Sequence, residues 1–131
     1  MRYVGVDDAG RRVNPMIVDG QLHGGIVAGL SQALGEEVAF DAEANPITAN
    51  LMDYAMATID MIPDIELEAA AVSSSFNSLG FKGVGESGTI GATPAVHLAV
   101  LDALRPLGVH HLDMPCTPLR VWTAMQSAVS S

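Results

Sequence analysis

Gly83-Val84-Gly85-Glu86-Ser87-Gly88 is the stretch of this sequence best suited to chemistry. It sets one carboxylate, Glu86, among glycines, and the chain's only lysine, Lys82, stands directly before it. Glycines let backbone N–H groups come close to a ligand, and a loop built this way can deliver one side chain to a reacting atom. Five glycines fall between Gly80 and Gly91. Such a run loses much backbone entropy on folding, so in an ordered chain it marks close approach or positive φ. The letters also fit G-x-G-x-x-G, but the context is wrong for a dinucleotide. No hydrophobic strand leads straight into them, because Asn77, Ser78, Gly80 and Lys82 interrupt the approach. No second strand ending in an acid follows, since Asp102 falls inside a predicted helix. A Walker loop needs Gly-Lys-Ser/Thr at its end, whereas Lys82 precedes the glycines. The plain alternative is that Glu86 and Lys82 are solvated loop charges.

A second cluster, Gly20-Gln21-Leu22-His23-Gly24-Gly25, puts an amide and an imidazole among glycines at the expected start of a helix. A helix N-terminus offers unpaired N–H groups to a ligand. The competing reading is a polar first turn in which Gln21 and His23 merely cap.

These residues must be held by elements that the periodicity outlines. Residues 2–6 alternate as a strand, and 65–72 do the same with Ile65, Leu67 and Ala69 against Glu66 and Glu68. Leu22, Ile26, Leu30 and Leu34 recur every four residues and predict a helix over 22–36. Asp7-Asp8-Ala9-Gly10 is turn chemistry and Asn14-Pro15 a break. Thr93-Pro94 reads as an N-cap with proline at the first helical position, predicting a helix over 94–105 that ends at Pro106 and Gly108. Thr117-Pro118 repeats the signal for a last helix over 118–128. The fold class is therefore α/β (α+β): a small mixed sheet packed with about three helices, in one domain over 1–131.

Composition limits the functions open to such a domain. Fifteen acids against six bases give a net charge of −9, which disfavours nucleic acid and anionic membrane as partners. Cys116 is the only cysteine, so neither a disulfide framework nor a cysteine zinc site is expected, and a reducing, cytoplasmic setting fits. No metal-ligand cluster is predicted, no apolar run reaches the length of a membrane span, and the charged start does not read as a signal peptide. At 131 residues the size scaling gives a folded surface of about 6,600 Å² against roughly 19,700 Å² for the open chain. A core can form, yet 49% hydrophobic residues with 16% charged ones predict an apolar surface that something covers.

Taken in order, the motifs are distinctive. Asp7-Asp8…Gly10…Asn14-Pro15-Met16, Gly20-Gln21-Leu22-His23-Gly24-Gly25…Gly29…Ala33-Leu34, Asp53-Tyr54 and Lys82-Gly83-Val84-Gly85-Glu86-Ser87-Gly88 run across nearly the whole chain. Pro94-Ala95-Val96…Ala99-Val100…Ala103-Leu104 and the proline-started last helix close the pattern. The sequence resembles the C-terminal part of the molybdenum-binding large subunit of the xanthine dehydrogenase / aldehyde oxidase / carbon monoxide dehydrogenase family.

The resemblance implies an oxidoreductase. Glu86 would be its catalytic base, taking the proton from a molybdenum-bound hydroxide that attacks a substrate carbon. It carries Gln21, Gly24, Gly83, Val84 and Gly85 over as contacts to molybdopterin, in the cytosine dinucleotide form. His23 is carried over less securely, a structural role being as well supported. Iron–sulfur clusters and FAD would lie on other subunits or segments. Relatives are several times longer, so the chain looks like a piece that is inactive alone, self-associates when isolated and needs the remaining large-subunit segments and the iron–sulfur and flavin subunits. Two other readings stand beside it: a non-catalytic assembly module that kept the fold, and a stand-alone acid/base enzyme using Glu86 with His23. The substrate, a small molecule, is not legible.

Overall fold

The structure is a computed structural model and describes residues 2–129. Asn14 starts the first helix, α1 (Pro15–Leu34). Its side-chain Oδ1 accepts from the Ile17 amide at 3.2 Å and its carbonyl from Val18 at 3.1 Å, with Pro15 at the first helical position. The helix thus begins seven residues before the expected start at 22, and the Asn14-Pro15 break is its cap. Gln21, His23, Gly24 and Gly25 consequently lie within the helix, not at its N-terminal end. The buried stripe is the expected one, with Leu22, Ile26, Leu30 and Ala33 at most 5% exposed.

The second helix, α2 (Ser87–Leu104), also starts earlier than expected, and Pro94 lies inside it. Proline lacks an N–H, so one bond of the helix is forgone there, but the turns on either side hold. Thr93-Pro94 is therefore no cap. The last helix, α3 (Pro118–Val129), starts where its signal predicts, with Thr117 Oγ1 accepting from the Arg120 amide at 3.3 Å.

Strands β1 (Arg2–Asp7) and β2 (Asp64–Ala69) pair in parallel, Arg2 opposite Asp64 and Val6 opposite Glu68. The α/β class is as expected. The sheet consists of these two strands, and antiparallel pairing among the described residues is confined to isolated bridges, Gly10 with Phe81 and Phe40 with Pro46. One face, with Tyr3, Gly5, Ile65 and Leu67, is half-buried; the other carries Val4, Val6, Glu66 and Glu68 to the surface.

The described residues form two compact units that share the long helices. The first, 2–29 with 58–92, holds the sheet, the first part of α1 and the first turns of α2, around Ala9, Leu22, Ile26 and Ala92. The second, 30–57 with 93–129, has Leu30, Ala33, Val96, Leu104, Val109 and Cys116 as its core. There the Cys116 amide donates to the Ala33 carbonyl at 2.7 Å, and the Ala57 amide to the buried Ser31 hydroxyl at 2.9 Å. The lone thiol of Cys116 is pushed up from its ordinary value by burial, as suits a packing residue.

Candidate functional site

The glycine loop at 83–86 lies in the first unit and is held from both ends. Its upstream end is stitched to the exit of β1. The Lys82 amide donates to the Ala9 carbonyl and the Arg11 amide to the Gly80 carbonyl, each at 2.9 Å. Gly10 and Gly80 have φ of +61° and +73°, and a Cβ on Gly10 would lie 2.3 Å from the Gly80 carbonyl oxygen. Only glycine allows that approach. Asp8 completes the join. Its Oδ1 accepts from the amides of Gly10 (2.9 Å) and Val72 (3.1 Å), and its Oδ2 from Lys82 Nζ. The Lys82 bond, followed by the Gly10 amide, holds the Asp8 carboxyl below the usual carboxylate range. Lys82 is thus an ion-pair partner and not the solvated loop charge expected of it.

The downstream end is fixed where α2 meets α1. A Cβ on Gly88 would stand 2.8 Å from the Leu22 carbonyl oxygen, so the two backbones touch without side chains between them. Thr89 Oγ1 donates to the Gly25 carbonyl at 3.0 Å across the same contact. This contact brings together the two glycine clusters that the sequence keeps far apart.

Between these anchors the loop is open. Among the described residues, chain neighbours and the helix's own backbone aside, no atom lies within 4 Å of where a Cβ would be on Gly83 or Gly85, and the same holds at Gly24. Among the described residues nothing accepts from the amides of Gly83, Val84 and Gly85, while the Val84 carbonyl accepts from Ser87 Oγ at 3.4 Å. Glu86 is exposed; its carbonyl accepts from the Ile90 amide at 3.0 Å, which places it at the start of α2. Nothing among the described residues bonds its carboxylate. Gln21 and Gly24 lie exposed on α1 at a spacing of three residues, which puts them on one side of the helix. His23 differs: its Nδ1–H donates to the Asp19 carbonyl one turn back at 2.8 Å, a structural bond within its own helix. The sequence names Asp8 as turn chemistry and as part of the motif series but not as a partner of Lys82; an acid at a strand end and a lone lysine before the loop are the available signal.

The family model described as a molybdopterin cofactor-binding domain matches residues 1–63. The carbon monoxide dehydrogenase large chain of Hydrogenophaga pseudoflava is 42% identical over 125 residues, 95% of this chain. The chain is a segment of a molybdenum hydroxylase large subunit. Two solved structures share its fold. Reconstituted CO dehydrogenase from Oligotropha carboxidovorans matches 98% of this chain at 35% identity and a TM-score of 0.94. Quinoline 2-oxidoreductase from Pseudomonas putida 86 matches 94% at 41% identity and a TM-score of 0.90. The molybdenum hydroxylase segment spans 16% of the length of each of these three relatives. No helix among its described residues is long and apolar enough to cross a membrane.

The donor set of the segment fits the cofactor named by its family. Molybdopterin presents many hydrogen-bond acceptors, and the loop offers unpartnered amides beside two glycines with open space above them. Gln21 adds an exposed amide that can donate and accept.

Proposed function

We propose that this segment supplies the catalytic base and part of the molybdopterin site of a molybdenum hydroxylase, an oxidoreductase acting on a small-molecule substrate. The observation that carries the reading is the Glu86 carboxylate, exposed and unbonded at the end of an open glycine loop whose two ends are fixed. A general base needs a free lone pair, which this carboxylate has, and its backbone is held at the start of α2. Gly83, Val84 and Gly85 hold the cofactor through backbone N–H groups, with Gln21 and Gly24 contributing from α1. When bound, the cofactor supplies the redox centre that takes electrons from the substrate carbon. Glu86 takes up a proton at a carboxylate oxygen during that oxidation. The lack of side chains at 83 and 85 lets the cofactor sit against the backbone.

The same reading makes the segment one domain, a C-terminal part of the large subunit that works in the cytoplasm and is inactive alone. The remaining large-subunit segments complete the site, and iron–sulfur clusters and FAD on other subunits or segments carry the electrons away. The cofactor is taken in its cytosine dinucleotide form. The test is turnover of the complete complex carrying Glu86→Gln, at matched molybdenum content. Glutamine has nearly the same shape but cannot take the proton, so turnover should be lost with metal retained. Wild-type turnover would remove Glu86 from the mechanism, and a non-catalytic assembly module would then describe the segment.

A further inference from the structure

We infer that Asp8 and Lys82 form a clamp that positions the Glu86 loop, which makes both of them positioning residues for the reaction proposed above. The inference rests on that proposal for its catalytic consequence, and on the bonds around Asp8 for the clamp itself.

The chain has fifteen acids and six bases, of which one is lysine. That lysine is committed to Asp8, and each of the two side chains is about one-third exposed. Asp8 uses both oxygens and joins three separate segments: its own turn through the Gly10 amide, the stretch after β2 through the Val72 amide, and the loop start through Lys82. A second brace lies just upstream. Asn77 accepts from the Phe81 amide at 3.2 Å and donates through Nδ2 to the Phe81 carbonyl at 2.9 Å. From Gly83 to Gly85 the loop makes one hydrogen bond among the described residues, Ser87 Oγ to the Val84 carbonyl. Its path is therefore set at its ends, by Lys82 on one side and by the close packing of Gly88 on the other. A catalytic group misplaced by about 1 Å can lose on the order of 10²-fold in rate. Lys82 stands four residues before Glu86, so loosening it moves the carboxylate without touching it.

The charge is the part to remove. Asp8→Asn keeps an oxygen for the two amides but turns an N–H donor toward Lys82 or leaves the ammonium unpaired. Lys82→Met keeps the stem and deletes the charge, whereas Lys82→Arg retains it. In the 131-residue chain itself, hydrogen exchange is followed at the Lys82, Arg11 and Val72 amides, with the Cys116 amide in the second unit as internal reference. Asp8→Asn and Lys82→Met should speed the three amides by about tenfold or more and leave Cys116 unchanged, while Lys82→Arg stays within about threefold of wild type. Unchanged exchange in both charge-removing variants, or equal acceleration at Cys116, overturns the clamp. In the complete complex, Lys82→Met should lower kcat by about 10- to 100-fold with KM nearly constant, and Lys82→Arg should restore most of it. Faster exchange with unaltered kcat overturns the positioning role. If Glu86→Gln proves fully active, the base assignment fails on that measurement alone, and the exchange data still decide the clamp.

Discussion

Gly25 and Gly88 meet backbone to backbone: a Cβ on Gly88 would lie 3.2 Å from Gly25 Cα, and one on Gly25 would lie 3.1 Å from Gly88 Cα. Gly88 is the last glycine of the Gly83-to-Gly88 motif and Gly25 the last of the α1 cluster. Each motif therefore ends in a glycine needed for packing, while Gly83, Gly85 and Gly24 face open space and are free for a ligand.

This division predicts opposite outcomes for two small substitutions. Gly88→Ala drives a methyl against the Leu22 carbonyl and should destabilise the chain by about 1–3 kcal/mol. Gly24→Ala adds a methyl at an exposed helix position with no neighbour, and should stabilise by up to about 1 kcal/mol through helix propensity. Urea unfolding of the two variants checks both signs. If Gly24 contacts the cofactor as proposed, Gly24→Ala should lower molybdenum occupancy of the complete complex in spite of its greater stability.

The Asp8 carboxyl titrates below its ordinary value of 3.8 in the folded chain. A group whose folded pKa is depressed contributes stability that is full above the unfolded pKa and is lost as pH falls through the folded one. Wild type should therefore exceed Asp8→Asn in urea midpoint at about pH 6, and the difference should shrink below about pH 4 as Asp8 protonates. Glu66, held down by Arg2, and Asp41, held down by Asn45, add to the acid loss of both proteins and cancel in the comparison. A gap that stays constant down to acid pH would contradict the ion pair.

Glu86→Gln should leave the stability within about 0.5 kcal/mol of wild type, since the side chain is exposed and has no hydrogen bond among the described residues. Turnover of the complete complex should fall by about 10²–10⁴, the usual cost of losing a general base. The pair of measurements separates chemistry from folding.

The isolated chain exposes 8780 Å², about a third more than the 6,600 Å² or so typical of its mass, so it buries less than the two-thirds expected. Phe76 (99% exposed), Met52 (96%) and Ile59 (88%) are part of that surplus. The backbone beside Phe76 is tied down, its amide donating to Ser74 Oγ and Asn77 pairing with the Phe81 backbone. Sedimentation should show self-association at micromolar concentration, weakened by Phe76→Ser. A monomer over that range would mean that this surface tolerates water.

The α1 stripe, the α3 start and the two strands were legible because each is a local pattern: fourfold spacing, a Thr-Pro cap, two-residue alternation. The starts of α1 and α2 were not. At Asn14-Pro15 the same residues serve a turn or a helix cap, and only the bonds from Ile17 and Val18 decide between them. At Gly88 low helix propensity argues for loop, but close packing against Leu22 and Gly25 outweighs that preference.

By itself the sequence determined the class of fold, the residues that can do chemistry and, through motif order, the large-subunit family. Those properties depend on residue type and spacing along one strand of chain. What only the tertiary structure decided is which glycines serve packing and which have open space beside them, that Lys82 is bound to Asp8, and that His23 is spent on its own helix. These are relations between residues 63 and 74 positions apart, or choices among partners within reach. Hydrogen-bond geometry and excluded volume settle them once the chain has folded, and no local pattern encodes them.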